Sequence, residues 1–179
     1  MPLFKDGTDL ISRKGDRKVF IETGTADGDG VDIAIKVGFE KIYSIELNPE
    51  LHKKCVEKFN TEEYKNYNCE INLICGNSEI ELPKILENID EPFILWLDAH
   101  WSGGPYIGEN MEFYLPKELK SILKYSNKFD DSVIIIDDMN HYLNNKQFCS
   151  TVEGLVHQIK TTGELKYSPS YASTHLVKF

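Results

Sequence analysis

The chain has 179 residues, of which 41% are hydrophobic and 27% charged, and its formal net charge is -9. This length and composition fit one globular domain and argue against a repeat array, a coiled coil or a disordered chain. The negative charge would repel a polyphosphate backbone, so we do not expect nucleic acid as a partner.

Membrane and secretion signals are absent from the sequence. Its longest apolar runs, residues 93–97 and 133–136, are far shorter than the roughly 20 residues of a membrane helix. The N-terminus has neither the apolar region nor the cleavage site of a secretory signal, so we expect a soluble, cytoplasmic protein. The cysteines lack zinc-site spacing, and we expect free, mostly buried thiols at Cys55, Cys69, Cys75 and Cys149.

Short apolar runs alternate along the chain with longer amphipathic stretches. This alternation predicts an α/β fold in which helices cover a parallel sheet. The predicted strands are residues 18–23, 41–46, 70–75, 92–98 and 132–137. The predicted helices between them are residues 30–38, 49–59, 78–89 and 115–126.

Local signals mark two of these helix starts. Asn48 followed by Pro49 has the pattern of an N-cap and a first-turn proline. Ser78 and Glu81 have capping-box spacing, and Pro83 restricts the phase of that helix to its first turn.

The pattern changes near the C-terminus, where a helix over about residues 146–160 precedes two short strand-like pieces that predict an antiparallel hairpin. We therefore expect one domain over residues 1–179. It divides into a short N-terminal extension, a cofactor-binding core and a C-terminal helix with hairpin, at residues 1–17, 18–140 and 141–179.

A glycine-rich turn follows the first predicted strand, between Glu22 and Gly30. In an open α/β fold, ligands bind at this edge of the sheet, and glycines allow close approach. The dinucleotide fingerprint Gly-x-Gly-x-x-Gly is absent, and the acidic residues Glu22, Asp27 and Asp29 would repel a pyrophosphate. The turn instead suits a ligand that carries positive charge and hydroxyl groups.

Glu46 ends the second predicted strand, twenty-two residues after Gly24. A carboxylate at this position can accept both hydroxyl hydrogens of a ribose. The alternative is a solvated glutamate at the end of a strand.

The chain resembles the class I S-adenosylmethionine-dependent methyltransferases over roughly residues 17–140. The similar stretches are Val-Phe-Ile-Glu22-Thr-Gly24-Thr-Ala-Asp27-Gly28-Asp-Gly30, Tyr-Ser-Ile-Glu46 and Ile-Cys-Gly76-Asn77-Ser78. The resemblance implies a Rossmann-like sandwich with a mostly parallel seven-stranded sheet, an antiparallel C-terminal strand and the order 3-2-1-4-5-7-6.

The resemblance also implies roles for individual residues. It implies that the methionine part of S-adenosylmethionine is surrounded by Glu22, Gly24, Thr25 and Gly28. It assigns the ribose to Glu46, the adenine border to Asn77 and Ser78, and a further cofactor contact to Asp98. Two positions depart from the commoner pattern, because Thr25 replaces a glycine and Asn77 replaces an aspartate.

Carboxylates also follow the fourth and fifth predicted strands, at Asp98, Asp137 and Asp138. If these strands pair in parallel, the carboxylates converge, and their repulsion favours a hard divalent cation between them. The arrangement resembles catechol-type and macrolide-sugar O-methyltransferases, which implies that the three aspartates bind a metal, in our expectation Mg²⁺. The alternative is that they cap the following segments.

His100 lies two residues beyond Asp98, and we assign the catalytic site to these two residues. An imidazole pKa near 6.5 permits proton abstraction near neutrality. His100 could instead be an outer ligand or a packed loop residue. The aromatic residues Trp101, Tyr106, Phe113 and Tyr114 could line an acceptor pocket or close an edge of the core. We expect Trp96 to lie within the core.

The sequence thus predicts an S-adenosylmethionine-dependent methyltransferase that methylates a small hydroxylated acceptor, a sugar or secondary metabolite, with Mg²⁺. The alternatives are a non-catalytic cofactor-binding or regulatory domain, and a metal-dependent hydroxylase in which Asp98 and His100 supply part of an iron site. A nicotinamide oxidoreductase is disfavoured by the missing fingerprint. We expect no membrane partner. A homodimer is a further possibility, and its second subunit could then complete the acceptor pocket.

Overall fold

Parallel strands form the centre of the fold. The computed structural model describes residues 8–99, 114–125, 131–137, 146–159, 166–167 and 175–178. Within these residues the strands are β1 (Val19–Thr23), β2 (Lys41–Glu46), β3 (Glu70–Cys75), β4 (Phe93–Leu97), β5 (Val133–Ile136), β6 (Lys166–Tyr167) and β7 (His175–Lys178). The helices are α1 (Thr8–Lys14), α2 (Asp29–Val37), α3 (Pro49–Phe59), α4 (Glu62–Lys65), α5 (Ser78–Asn88), α6 (Tyr114–Tyr125) and α7 (Lys146–Gln158).

The strands lie in the order β3-β2-β1-β4-β5-β7-β6. The five strands from β3 to β5 pair in parallel. β7 pairs antiparallel with β5, and β6 pairs antiparallel with β7. The predicted α/β class and its Rossmann-like parallel core are confirmed. Because the five core strands are parallel, their carboxyl ends meet at one edge of the sheet, which we call the carboxyl edge.

Two apolar clusters cover the two faces of the sheet. α1, α2 and α3 contribute to one cluster, which includes Val31 and Phe59. α5, α6 and α7 contribute to the other, which includes Leu82 and Leu119. Strands β1, β4 and β5 are buried at every residue, which explains their continuous apolar runs. Among the described residues, none of the helices is both long and apolar enough to cross a membrane.

Asparagine side chains begin the two helices that follow β2 and β3. Asn48 Oδ1 accepts hydrogen bonds from the backbone N–H groups of Glu50 and Leu51, and Pro49 stands at the first position, as predicted. The capping prediction for Ser78 is wrong, because Asn77 Oδ1 accepts from Glu79 N at 2.9 Å. Ser78 is already helical, and α5 continues through Pro83 to Asn88.

The N-terminal residues contain a helix for which the sequence pattern gave no prediction. α1 is only seven residues long, too short to display a clear helical period, yet its Leu10 is fully buried in the core. After α1, Arg17 donates through Nη2 to Asp131 Oδ1 at 2.7 Å. This contact connects the end of α1 to the start of β5.

Three of the four cysteines have described side chains, and all three are free thiols, as predicted. Cys55 is buried, Cys69 is half-buried and Cys75 is exposed. Cys75 corrects the expectation of burial, because it ends β3, the strand at the edge of the sheet. The Cys149 side chain lies outside the described residues.

Candidate functional site

The carboxyl edge gathers most of the residues predicted to form the site. The structure describes Glu22, Gly24, Thr25, Gly28, Glu46, Asn77, Ser78, Asp98 and Asp137. The described residues do not include His100 or Asp138, nor Trp101, Tyr106, Phe113 and His141. The described residues therefore include the cofactor half of the predicted site and two of its three predicted metal ligands, Asp98 and Asp137.

The turn after β1 is held by backbone contacts to both neighbouring strands. Gly24 N donates to Ile45 O at 2.9 Å, and Asp98 N donates to Thr23 O at 3.1 Å. Gly24 has φ +90°, and a Cβ on it would lie 2.6 Å from the backbone oxygen of Asp98. Only glycine fits this backbone conformation and this close approach, so Gly24 is required where β1, β2 and β4 end together.

Gly28 occupies the N-cap of α2 with φ +79°. Its N–H donates to Thr25 O at 2.8 Å, and an added Cβ would meet the Phe59 ring at 2.7 Å. These contacts show that Gly28 lets α2 pack against α3. Its predicted contact with the cofactor stays a prediction.

Glu22 is a buried carboxyl group with only 2% of its surface exposed. The Ser44 hydroxyl donates to Glu22 Oε1 at 2.6 Å. The pKa of Glu22 is raised to about 8, chiefly by burial, which disfavours the charged form. The Ser44 hydrogen bond opposes this shift, whereas the Asp98 and Glu46 carboxylates add to it.

A second hydroxyl extends this contact to the glycine turn. Thr25 Oγ1 lies 2.5 Å from Ser44 Oγ, and Ser44 is fully buried. When Glu22 is ionised it only accepts, so Ser44 donates to Glu22 and Thr25 donates to Ser44. Thr25, Ser44 and Glu22 therefore form one chain of hydrogen bonds between the turn, β2 and β1.

Glu46 accepts backbone hydrogen bonds from both sides of the strand end. Ala26 N donates to Oε2 and Asn48 N donates to Oε1, each at 2.8 Å. A carboxylate has about four acceptor positions, so each Glu46 oxygen keeps capacity for another donor. The two amides fix the orientation of the carboxylate next to the glycine turn.

Asn77 and Ser78 lie at the end of β3, next to Glu46. Gly76 N donates to Glu46 O at 2.8 Å, which joins the ends of β2 and β3. The Asn77 side chain caps α5, and Ser78 is buried. The predicted adenine border therefore lies at the same edge as the predicted ribose contact.

Asp98 and Asp137 follow directly after the adjacent parallel strands β4 and β5. Leu97 pairs with Ile136, and Asp137 N donates to Leu97 O at 3.0 Å. The predicted pairing of these strands is confirmed. Among the described residues, no group of three or more metal-ligating side chains occurs, and the third predicted ligand, Asp138, lies outside them.

Trp96 is buried in the core, as predicted, but it also has a polar contact. Its indole Nε1 donates to Asp137 Oδ2 at 3.2 Å. The same indole packs against Gly30, where an added Cβ would lie 2.8 Å from its six-membered ring and 2.0 Å from Glu22 Oε2. Gly30 therefore provides space for both side chains.

Three residues make contacts in this site that the sequence did not predict: Ser44, Asn48 and Trp96. Ser44 could have been noticed as a hydroxyl within the strand Lys-Ile-Tyr-Ser-Ile-Glu, two residues after Ile42 and therefore on the same face of the strand as that apolar residue. The Asn48 backbone contact to Glu46 and the Trp96 indole contact have no local sequence signal, because each depends on side-chain orientation in the folded chain.

Among the other predicted positions, Tyr114 begins α6, with Lys117 Nζ 6.0 Å from the centre of its ring. His52, on α3, has its Nε2 3.3 Å from Leu73 O. His157 lies in α7 and His175 in β7.

No family model matches this sequence, and no curated protein matches it. Several solved structures match the fold. A SAH-bound methyltransferase from Podospora anserina has a TM-score of 0.69 and 15% identity, and the match covers 100% of this chain and 80% of that one. An O-methyltransferase from Bacillus cereus in complex with SAH has a TM-score of 0.62 and 16% identity, with 97% and 80% covered.

A third match is an O-methyltransferase of tomaymycin synthesis from Streptomyces achromogenes, in complex with SAM. Its TM-score is 0.63 and its identity 10%, and the match covers 94% of this chain and 76% of that one. The chain therefore has the fold of these methyltransferases over nearly its whole length.

Proposed function

We propose that this protein is an S-adenosylmethionine-dependent O-methyltransferase that acts on a small hydroxylated acceptor, a sugar or secondary metabolite, with the assistance of a divalent cation. The fold of methyltransferases bound to SAM or SAH supports this proposal. The arrangement of carboxylates at the carboxyl edge supports it independently.

The orientation of Glu46 is the observation that carries the proposal. Backbone amides on either side hold its two oxygens, and only 7% of the residue is exposed. A carboxylate that is already oriented loses little entropy when it accepts the two hydroxyl hydrogens of a ribose. In an open α/β sheet, this strand end is where nucleoside ligands bind.

The charge of the site fits a cationic donor. The Asp98 and Glu46 carboxylates at the carboxyl edge both help to raise the pKa of Glu22, after its burial. S-adenosylmethionine carries a sulfonium and an ammonium group, both positive, and positive charge beside these carboxylates is favourable. We assign its methionine part to Glu22, Gly24, Thr25 and Gly28.

In the proposed reaction, the acceptor oxygen forms a bond to the methyl carbon while the carbon–sulfur bond breaks, and S-adenosylhomocysteine leaves. Since the sulfonium is a good leaving group, the protein mainly aligns donor and acceptor. His100, two residues beyond Asp98 in the sequence, acts as the general base that removes the proton of the acceptor hydroxyl. The aromatic segment over residues 101–115 then shapes the acceptor pocket.

The donor set at β4 and β5 fits a hard cation, because Asp98 and Asp137 follow adjacent strand ends and carboxylate oxygens are the ligands that Mg²⁺ prefers. Asp138 is the third proposed ligand. A bound cation would supply positive charge that lowers the pKa of an acceptor hydroxyl.

The test compares two glutamates at opposite ends of β2. Glu46→Ala removes the proposed ribose ligand, whereas Glu40→Ala removes an exposed carboxylate that pairs with Lys18. Calorimetry should show a loss of S-adenosylhomocysteine affinity of about 10-fold or more for Glu46→Ala, since each hydrogen bond to a charged group contributes about 1.5–3 kcal/mol. Glu40→Ala should bind like the wild type.

Equal affinity in wild type and Glu46→Ala would contradict the ribose assignment. Methyl transfer is then measured with labelled S-adenosylmethionine over a panel of sugars and catechols. Tight cofactor binding without transfer to any acceptor would favour the alternative of a regulatory domain.

A further inference from the structure

The indole of Trp96 connects the two halves of the proposed site. Its six-membered ring packs on Gly30 at the start of α2, beside the Glu22 carboxyl group. Its Nε1 donates to Asp137 Oδ2, on the neighbouring strand, at 3.2 Å. One side chain thus touches the helix that follows the glycine turn and a proposed cation ligand.

The surroundings of the indole leave it little freedom to move. Trp96 is 2% exposed, and its ring lies 6.5 Å from that of Phe20, centre to centre. Gly30 lies against the ring so closely that a Cβ could not be added without a shift. A donor fixed in this way also fixes the group that accepts its hydrogen bond.

We propose that Trp96 is a positioning residue for the divalent cation, because its indole N–H sets the rotation of the Asp137 carboxylate. This inference rests on the proposed function, since it takes Asp137 as a cation ligand. The hydrogen bond occupies one acceptor position of Oδ2 and holds the carboxylate plane before a cation arrives. Partners that orient a ligating carboxylate typically contribute about 10- to 100-fold to metal affinity.

The competing explanation is that Trp96 only fills space in the core. A space-filling residue would affect stability and would leave cation affinity unchanged in a folded variant. The two explanations therefore separate when the N–H is removed and an aromatic ring is kept, as in Trp96→Phe.

Phe20→Leu is the matched control, since Phe20 belongs to the same apolar cluster and packs beside Trp96. Calorimetry with Mn²⁺ should show a loss of affinity of about 10- to 100-fold for Trp96→Phe and a change within about twofold for Phe20→Leu. Circular dichroism and thermal melting report that each variant is folded.

A spectroscopic measurement keeps Trp96 intact. The chain has two tryptophans, so Trp101→Phe leaves Trp96 as the only source of tryptophan emission. Saturation of this variant with Mg²⁺ should change the emission, because the charge on the partner of the indole N–H changes. Calorimetry on the same sample confirms that the cation is bound.

Three results would overturn the inference: unchanged Mn²⁺ affinity in folded Trp96→Phe, an equal loss in Phe20→Leu, or unchanged Trp96 emission when the cation is bound. A wild-type protein that binds S-adenosylhomocysteine but no divalent cation would remove this inference together with the cation part of the proposed function. The cofactor part would stand. Cation binding that is insensitive to Trp96→Phe would remove the inference alone.

Discussion

Carboxylates are exposed and paired with lysines at the amino edge of the sheet, where the parallel strands begin, and are buried at the carboxyl edge. At the amino edge, Glu40 pairs with Lys18 at 2.9 Å and Glu91 pairs with Lys41 at 3.0 Å, all well exposed. Exposed pairs of this kind contribute little to stability. The carboxylates of Glu40 and Glu91 at the amino edge are therefore both exposed to solvent and paired with a lysine.

At the carboxyl edge, carboxylates are buried and neutral donors hold them. Glu22 accepts from a serine hydroxyl, Glu46 from two backbone amides, and Asp137 from an indole. Burial raises the pKa of Glu22 to about 8 and so favours its protonated form, and a positive ligand beside it would favour the ionised form. The carboxyl edge therefore holds its acidic groups buried, at the edge where an α/β fold binds ligands, whereas the amino edge holds them in solvent.

Two glycines test whether backbone strain matters equally at both edges. Gly24 has φ +90° at the carboxyl edge, and Gly38 has φ +87° at the end of α2 near the amino edge. Gly24→Ala should lower S-adenosylhomocysteine affinity by about 100-fold, because its Cβ would displace the Asp98 backbone and misplace the site.

Gly38→Ala is the matched control, since nothing lies within 4 Å of its added Cβ. Both variants have a strained positive φ, so both should melt earlier, but Gly38→Ala should bind the cofactor normally. Calorimetry and thermal melting measure the two effects. Equal affinities in the two variants would contradict a binding role for the turn after β1.

The pKa of Glu22 predicts how stability depends on pH without ligand. Burial raises this pKa from its ordinary value of 4.5 to about 8. The folded state therefore holds the Glu22 proton more tightly than the unfolded state. The stability that this tighter proton binding contributes is fully present below about pH 4.5 and is lost as pH rises toward 8. Between pH 6 and 7.5, the wild type should lose about 2 kcal/mol relative to Glu22→Gln.

Urea unfolding of both proteins at several pH values measures this difference. Glutamine keeps the size of the side chain and cannot titrate, so it serves as the reference. Stability curves that stay parallel from pH 6 to 7.5 would show that Glu22 does not titrate in this range.

Two buried serines sharpen the comparison further. Ser44 donates to Glu22 at the carboxyl edge, and Ser132 accepts from Phe93 N at 3.2 Å just before β5. Both are fully buried. Either change to alanine should cost about 1–3 kcal/mol of stability, because a buried polar partner loses its hydrogen bond.

Only Ser44→Ala should also lower S-adenosylhomocysteine affinity, by about 10-fold, because Glu22 and Thr25 lose the hydroxyl that joins them. Ser132→Ala should bind normally. A matching loss in Ser132→Ala would mean that the effect comes from general destabilisation.

Sequence patterns located the elements of the core closely. The predicted strands 41–46 and 70–75 agree with β2 and β3 residue for residue, and the predicted helix 49–59 agrees with α3. These elements have clear local signals: short stretches of strand length in which isoleucines recur, and Asn48 followed by Pro49. α1 had no such signal, because its seven residues are too few to show the helical repeat of apolar positions.

The sequence by itself determined which strand ends carry acids and where the glycine turn lies, since both are properties of consecutive residues. Only the tertiary structure decided how those acids are held. The partners of Glu22 and Asp137 are separated from them by 22 and 41 residues along the chain. Contacts between residues so far apart are set by strand order and register, which depend on the packing of the whole sheet and leave no periodic mark in the sequence.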